Sequence, residues 1–282
     1  MKRKAICFIL VIFTVLTLLG CTGQNATEDP DVVISARPAE TPSRTPYKEP
    51  TPALTFAPSP TLTPSPPPKP TSTPSPTSMP EGMVALDGDF YYIPLDDATK
   101  KRIKGMSYPK DDSDADISYS DLRYVHILHV DFDGNTHEGE LIVNKKVARD
   151  VMEIFHELYE AEYPLTSVIL VDSFGEAADD NLSMAANNTS AFNYRAVAGS
   201  KTLSMHSYGL AVDINPLLNP YVKSDGSISP PSGEEYADRK KDFPGKIDHD
   251  DLCYKLFIER GWTWGGDWKG SKDYQHFSKK LD

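Results

Sequence analysis

Two short, widely separated stretches of the sequence carry residues with the chemistry of a metal site. His206, Asp213 and His276 supply two imidazoles and one carboxylate. That set suits a catalytic zinc ion and leaves a fourth position for water. Asp273 adds a second carboxylate shortly before His276, where we expect it to move protons for that water. The residue types therefore predict one bound Zn²⁺ beside an acid–base group.

The neighbours of Asp213 indicate how its carboxylate is presented. Residues 210–214 predict a strand in which Ala211 and Asp213 share one face, so that the small Ala211 leaves room for an ion. An unpaired buried carboxylate costs several kcal/mol, so Asp213 needs a cation, and a metal ion or an arginine would both serve. Gly209 gives the backbone freedom to turn between His206 and this strand.

The second motif requires a bend in the chain. Asp273 and His276 have a spacing that fits one face of a helical turn but not a straight strand. Both side chains can therefore face one metal ion only if the backbone bends between them. The three tryptophans just before them, Trp262, Trp264 and Trp268, either line a cleft or seal the edge of a small core.

One arginine, Arg195, lies about ten residues before the first motif. There it can bind a substrate carboxylate, or the carbonyl oxygen that becomes negative in the transition state. A solvated surface arginine is the alternative, and spacing alone leaves both open. Within the first motif, Ser204 is interpreted as a hydrogen-bonding residue of the turn or of the ligand surroundings.

The segments that must support these motifs begin with a predicted hairpin. Residues 124–132 alternate as a strand, Asp133 and Gly134 turn the chain, and residues 139–143 return as the partner strand. Three histidines of this region are interpreted as structural or exposed, because the strand places the first two on opposite faces. They are His126, His129 and His137.

Two helices are predicted, each beginning at a capping side chain. Asn144 would cap a helix over 145–160 with one apolar stripe. Asp248 would cap a second helix that contains Cys253 and stops at Gly261. The cysteine falls within the apolar pattern and is interpreted as a packed core thiol.

Four further segments have simpler patterns. Residues 167–171 predict a short buried strand, and residues 172–191 predict a polar loop long enough to border a site. Residues 215–246, rich in proline and glycine, predict an irregular excursion. The acidic run over 111–116 is interpreted as a solvated loop.

The N-terminal residues are typical of an exported lipoprotein. A basic start and the apolar run that follows it predict a signal peptide over 1–20. The run is shorter than the ~20 apolar residues of a membrane-spanning helix. It ends in LLGC, which resembles the lipobox of bacterial lipoproteins and implies a lipid on Cys21. An ordinary secretory signal and an uncleaved anchor are the alternatives.

Composition favours one extracytoplasmic domain on a tether. Residues 21–80 are dominated by Pro, Ser and Thr and predict a disordered spacer. Residues 81–282, with a core over about 120–280, are enough for one folded domain, which we expect to be a monomer facing the cell wall. The net charge of −12 and the absence of a basic stripe exclude nucleic acid as an expected partner.

Three motifs together resemble a known family. They are SxHxxGxAxD at 204–213, GGDW at 265–268 and DxxHF at 273–277. The family is that of the D-alanyl-D-alanine carboxypeptidases and L-alanyl-D-glutamate endopeptidases, which are zinc peptidases. The run over 206–217 is most similar to the branch that contains cell-wall L,D-endopeptidases.

The resemblance implies roles for five residues. It implies that His206, Asp213 and His276 bind zinc, that Asp273 acts as base toward water, and that Arg195 steadies the substrate. The implied fold is a small α+β domain, an antiparallel sheet with helices packed on one side and the zinc site on the sheet.

The implied substrates are peptidoglycan stem peptides, cut either as a D,D-carboxypeptidase or as an L-Ala-D-Glu endopeptidase. Relatives that cut D-Ala-D-Ala commonly have Glu at the position of Asp273, so the scissile bond stays open. A zinc-containing wall-binding module without catalysis is the alternative, and its expected signature is loss of that acidic residue. A lipoprotein that serves mainly as an anchor or spacer is a third possibility.

Overall fold

The computed structural model describes residues 80–197 and 199–281. All of them fall within one unit, Thr71–Asp282. The predicted signal peptide over 1–20, the lipid anchor Cys21 and nearly all of the tether over 21–80 lie outside the described residues. None of the helices in the described part has the length and apolar character of a membrane span.

The described residues form small sheets and a few helices. The α-helices are α1 (Asp97–Ile103), α2 (Ala148–Glu160), α3 (Asp180–Ala185) and α4 (Leu252–Glu259). The strands of the N-terminal half are β1 (Val84–Ala85), β2 (Tyr91–Pro94), β3 (Leu122–Val130), β4 (Thr136–Asn144), β5 (Ser167–Val168) and β6 (Asn188–Thr189). Those of the C-terminal half are β7 (Ala211–Asp213), β8 (Tyr221–Val222), β9 (Ile228–Ser229), β10 (Thr263–Trp264), β11 (Lys272–Asp273) and β12 (His276–Ser278).

The largest sheet has the antiparallel order β1-β2-β3-β4. Its central hairpin pairs β3 with β4 from Leu122 opposite Asn144 to Val130 opposite Thr136. Val125 and Ile127 of β3 are fully buried in the core. They pack there because alternate residues of a strand point to opposite faces, and this face is covered by α2.

Helix α2 covers the sheet with the apolar stripe that the sequence predicted. Val151, Ile154, Phe155 and Leu158 are all buried in the main core cluster. Their spacing puts them on one side of the helix, and the polar residues between them face solvent. The helix begins at Ala148, three residues later than expected.

Asn144 is not the cap of α2, so that prediction was wrong. It ends β4, and the cap position of the helix is occupied by Val147 without a side-chain hydrogen bond. The Asn144 side chain accepts from Lys146 N at 3.1 Å and donates to Tyr208 O at 3.0 Å. The residue therefore ties the large sheet to the turn that carries the first motif.

The hairpin prediction also needs correction in its bounds. Strand β3 ends at Val130, not at residue 132, because Asp131 N donates to Asn135 O and closes the loop. Phe132 stays in that loop with 41 % of its surface exposed. The face with Tyr124 and His126 is only half-buried, so the sheet buries its other face more deeply.

Helix α4 is capped by Asp251 and not by Asp248, so that prediction was wrong. The Asp251 side chain accepts from Tyr254 N at 3.2 Å, which satisfies a donor of the first helical turn. Gly261 follows the helix at a φ of +76°, as the sequence predicted for its end. Cys253 is fully buried, and burial raises the pKa of its thiol well above the usual value, which fits a packed core thiol.

Two other segments are more ordered than expected. The predicted loop over 172–191 contains α3 and β6, so it is not an unstructured border. The polar sequence predicted a loop, but its asparagines are buried and form hydrogen bonds with the backbone. Asn188 Nδ2, for example, donates to Ile169 O at 2.9 Å. The excursion over 215–246 is largely irregular, with β8 and β9 added. The acidic run over 111–116 is mostly exposed, as predicted.

The three smaller sheets complete the α+β fold. Their strand orders are β10-β12-β7, β11-β8-β9 and β5-β6, the last pair being parallel. The predicted α+β class with a small antiparallel sheet is confirmed, and the group of histidine and aspartate residues lies on the sheet region. The sheet that carries this group is β10-β12-β7.

Candidate metal centre

The pairing of two short strands brings Asp213 to His276. Strands β7 and β12 are antiparallel, with Asp213 directly opposite His276. Side chains of directly opposed residues lie on the same face of a sheet and close together. His276 Nδ1 is 3.0 Å from Asp213 Oδ1, and both side chains are 8 % exposed.

The third member of the group comes from a tight turn. His206 lies in a 3₁₀ turn, Met205–Tyr208, which Ser204 begins by accepting from His206 N at 3.3 Å. Gly209 ends the turn at a φ of +63°. A Cβ there would lie 2.5 Å from Asn144 N, so both the conformation and the close approach require glycine.

The three side chains converge on one point. His206 Nε2 is 3.2 Å from His276 Nδ1 and 3.2 Å from Asp213 Oδ2. Ligand atoms at ~2.0–2.1 Å from a zinc ion in tetrahedral geometry lie about 3.3 Å from one another. The observed separations fit that value, and all three residues are buried.

The hydrogen bonding of His206 also fits a cation. Its Nδ1 lies within hydrogen-bond distance of Ala191 O, which can only accept, so Nδ1 carries a hydrogen. Nε2 of the neutral His206 ring then directs a lone pair at the carboxylate of Asp213 and at the ring of His276. A cation at that point removes the repulsion between these acceptors.

The charges of the group lead to the same conclusion. Burial alone would raise the pKa of Asp213, but the facing His206 and His276 outweigh it and hold that pKa well below its usual range. Burial lowers the pKa of His206, but Asp213 outweighs this and raises it. The site therefore favours a positive charge between the three residues, and the donor set fits a zinc ion.

Asp273 lies at the end of β11, before the bend that the sequence required. Strand β11 ends at Asp273 and β12 begins at His276, so two residues of non-strand backbone separate them. Asp273 Oδ1 is buried and has no hydrogen-bond partner among the described residues. Burial, aided by the charge of Asp213, raises the pKa of Asp273 to about 7 against the opposing charge of His276.

The backbone of Arg195 is fixed to the turn that carries His206. Arg195 N donates to Ser207 Oγ at 3.0 Å, and the Ser207 hydroxyl donates to Arg195 O at 2.8 Å. Ser204 N donates to the same carbonyl at 3.0 Å. The arginine side chain is one-third exposed, so its guanidinium reaches solvent from a fixed backbone.

The tryptophans divide between the two roles considered for them. Trp262 and Trp264 are buried in the core. Trp268 is 39 % exposed, and its ring centroid is 5.3 Å from that of His276 and 6.5 Å from that of Tyr221. Only the third tryptophan therefore borders the metal centre.

The histidines of the large hairpin are engaged away from this group. His126 Nδ1 lies 2.8 Å from Asp89 O, and His137 Nε2 lies 2.7 Å from Asp131 Oδ2. His129 is buried against the ring of His137. These contacts agree with the structural roles predicted for all three.

Comparison with known proteins adds one finding. Residues 198–279 match the model of a family described as D-alanyl-D-alanine carboxypeptidase. The match makes this segment similar to that peptidase family and covers 82 of the 282 residues. No curated protein and no solved structure matches the chain.

The carboxypeptidase-family match confirms the resemblance seen in the motifs. Its range includes His206, Asp213, Asp273 and His276. Arg195 precedes that range, so its place beside the family's residues rests on the contacts described above. The matched segment supports a peptidase, and the buried group within it can hold a metal ion.

Sequence reasoning missed several residues that hold the site together. Ser207 and the carbonyl of Ala191 fix Arg195 and His206, but a serine beside a histidine and a backbone oxygen give no distinctive signal. Asp180 forms an ion pair with Arg195 and lies in the segment predicted as a loop. Nothing in its sequence spacing indicates that contact.

Proposed function

We propose that this domain is a zinc-dependent peptidase that hydrolyses peptidoglycan stem peptides. The observation that carries the proposal is the convergence of His206, Asp213 and His276 within ligand distance, in a segment that matches a carboxypeptidase family. Asp273 ends β11, and its Oδ1 has no hydrogen-bond partner within the described part of the chain. A metal group and an acid–base group together are what metal-assisted peptide hydrolysis requires.

The protein's own residues divide the chemistry between them. A bound zinc ion would polarise the scissile carbonyl and make water a better nucleophile at neutral pH. Asp273 would accept a proton from the attacking water and return it to the leaving amine. The pKa of Asp273, which burial raises to about 7, lets its carboxyl group both accept and return a proton near neutral pH.

Arg195 would supply a fixed positive charge to the substrate. Its backbone is bonded to the His206 turn, and its guanidinium can bind a substrate carboxylate or the carbonyl oxygen as that oxygen becomes negative. The exposed face of Trp268 would form one wall of the cleft next to His276. A bound peptide would lie between Arg195 and Trp268.

Two reactions fit this arrangement. The description of the matched family favours release of a terminal D-Ala by a D,D-carboxypeptidase. The motif that resembles L,D-endopeptidases, and Asp rather than Glu at 273, favour cleavage between L-Ala and D-Glu. Both are hydrolysis of a stem peptide with the same residues in the same roles.

The test is hydrolysis of defined stem peptides by the full-length protein in detergent, with fragments identified by mass spectrometry. Loss of the terminal D-Ala and cleavage after L-Ala give different fragments, so one assay separates the two reactions. Zinc content is measured on the same samples by elemental analysis. Intact peptides from a zinc-loaded protein that still binds sacculi would instead favour a wall-binding module without catalysis.

Two variants separate the metal from the base. His206→Ala is expected to lose both zinc and hydrolysis, because it removes a ligand. Asp273→Ala is expected to retain zinc and lose hydrolysis, because it removes only the proton acceptor. Wild-type hydrolysis by Asp273→Ala would refute its role as base, and full zinc content in His206→Ala would remove that residue from the site.

We also propose that the domain acts outside the cytoplasm, on a tether from a lipid on Cys21. The LLGC motif and the Pro-, Ser- and Thr-rich composition of residues 21–80 support this. Labelling of cells with a radioactive fatty acid is expected to mark the wild-type chain and not Cys21→Ala. Equal labelling of both chains would contradict the lipid site.

A further inference from the structure

Arg195 has an ionic partner that its role in the proposed reaction does not explain. Its Nη2 donates to Asp180 Oδ2, the first residue of α3. The aspartate side chain is 21 % exposed and that of the arginine is 33 % exposed, so the pair is partly desolvated. Partly buried pairs are screened less by solvent and salt than exposed ones.

The local fold does not require a carboxylate at 180. The cap of α3 is Asp179, whose side chain accepts from Asn181 N at 2.8 Å and from Leu182 N at 3.2 Å. Among the described residues, the other side-chain contact of Asp180 is with Asn193 Nδ2, at 3.5 Å from Oδ1, which is at the limit of a hydrogen bond. Its strong interaction is therefore the one with Arg195.

The guanidinium of Arg195 is only partly occupied by this contact. Its Nε is buried and has no hydrogen-bond partner among the described residues. Its backbone, by contrast, is held on both sides by Ser207. A long side chain on a fixed backbone still has several rotamers, and the contact with Asp180 selects one of them.

The pair lies beside the turn that carries the proposed metal ligand His206. Arg195 N donates to Ser207 Oγ at 3.0 Å, and Asn193 N donates to His206 O at 3.3 Å. The arginine that Asp180 holds is thus fixed at its backbone to the turn that carries His206.

We propose that Asp180 is a positioning residue that orients the Arg195 guanidinium toward the oxygen of the substrate that it binds. The proposal rests on the proposed function, because it concerns the arginine's part in peptide hydrolysis. Asp180 does not touch the substrate and acts only through Arg195. One side of the guanidinium is anchored, and its remaining donors are held where a carboxylate or a developing oxyanion can accept from them.

The consequence is a dependence of one residue on the other. If Asp180 acts only by orienting Arg195, its carboxylate contributes nothing to kcat/KM once the guanidinium is removed. A displaced catalytic group costs about 10- to 100-fold in rate when its position changes by up to ~1 Å. Loss of the Asp180 carboxylate is expected to fall in that range while Arg195 is present.

The experiment is a double-mutant cycle in the full-length protein, with kcat and KM measured on a defined stem peptide. The variants are Asp180→Asn, Arg195→Ala and the double variant, with zinc content and thermal unfolding measured for each. Glu140→Gln is the matched control. Glu140 is 19 % exposed, pairs with Arg102 at 2.7 Å and lies in β4, and its change is also from carboxylate to amide.

Asp180→Asn is expected to lower kcat/KM about 10- to 100-fold, mainly through kcat if the arginine binds the developing oxyanion. Its zinc content should match that of Glu140→Gln, whose activity should stay at the wild-type level. In the Arg195→Ala background the same change is expected to have no further effect. Asp180→Glu keeps the charge and should retain more activity than Asp180→Asn.

Three results would overturn the proposal. Wild-type kcat/KM in Asp180→Asn would show that the pair does not orient the arginine. An equal loss with and without Arg195 would show that Asp180 acts by another route, such as the stability of α3. An inactive wild-type protein would overturn the proposed function and this proposal together, and the wild-type measurement distinguishes that case from the other two.

Discussion

Replacement of Gly265 by alanine should displace Asp273 without removing any metal ligand. Gly265 is buried next to the end of β11, and a Cβ there would lie 2.5 Å from Asp273 O and 2.8 Å from Asp273 Cβ. Ordinary contacts of a Cβ begin at 3.4 Å. The backbone at Asp273 would have to move by roughly 0.9 Å to restore an ordinary contact.

That displacement sets the expected magnitude. A catalytic group misplaced by ~1 Å can cost about 100-fold in rate, so kcat/KM of Gly265→Ala should fall about 100-fold. The extra methyl group should also lower the free energy of unfolding by about 1–3 kcal/mol, as overpacking does in other cores. Zinc content should be unchanged, because the three ligands lie on the 3₁₀ turn, β7 and β12.

The assay is kcat/KM on a stem peptide, with zinc content and urea unfolding measured on the same samples. Gly88→Ala is the control, because Gly88 is exposed and a Cβ there would meet nothing within 4 Å. It should match the wild type in all three measurements. Gly265→Ala with full activity and a folded core would refute the placement of Asp273 as the proton acceptor.

Three further predictions concern stability and substrate binding. Burial, with a smaller contribution from His137, lowers the pKa of His129 from 6.5 to about 4. The unfolded chain therefore takes up this proton first, and stability is lost as the pH falls from about 6.5 to about 4, by about 2–3 kcal/mol at pH ~4.5. Urea unfolding at pH ~6.5 and pH ~4.5 should show a smaller loss of stability for His129→Leu than for the wild type. The same loss in both proteins would contradict this role of His129. Trp268→Ala should raise KM for a stem peptide about 3- to 10-fold with little change in kcat, as expected for loss of an aromatic wall; an unchanged KM would exclude that wall. Arg239 donates to Leu218 O at 2.9 Å and to Ile247 O at 2.8 Å from a half-buried position; Arg239→Met should lower the free energy of unfolding by about 3 kcal/mol, and a loss below about 1 kcal/mol would show that these carbonyls find other donors.

The group of candidate metal ligands could be predicted from sequence because residue types and spacing identify it. Few residue types bind zinc, and a set of two histidines and an aspartate, with Asp273 shortly before the second histidine, is specific for that use. The bend between Asp273 and His276 followed from the period of a strand alone. The large hairpin and the stripe of α2 were predicted from periodicity, which long elements express clearly.

The errors came from contacts between distant segments. Asn144 and Asp248 are both plausible caps, but Asn144 bonds Tyr208 and Asp251 caps α4. Choosing among neighbouring capping residues depends on where the packed helix starts, and spacing does not fix that. The contact of Asp180 with Arg195 likewise joins two polar segments whose sequences show no periodic pattern of apolar residues.

The opposed positions of Asp213 and His276 make the register of two short strands a condition for metal binding. Strands of three residues have few backbone bonds with which to choose their pairing, and a slip by one residue would send one of the two side chains to the opposite face. A divalent ion that bridges them would penalise every other alignment, and so would act as a template during folding. Refolding from urea with zinc present from the start should then give more active protein than refolding first and adding zinc afterwards.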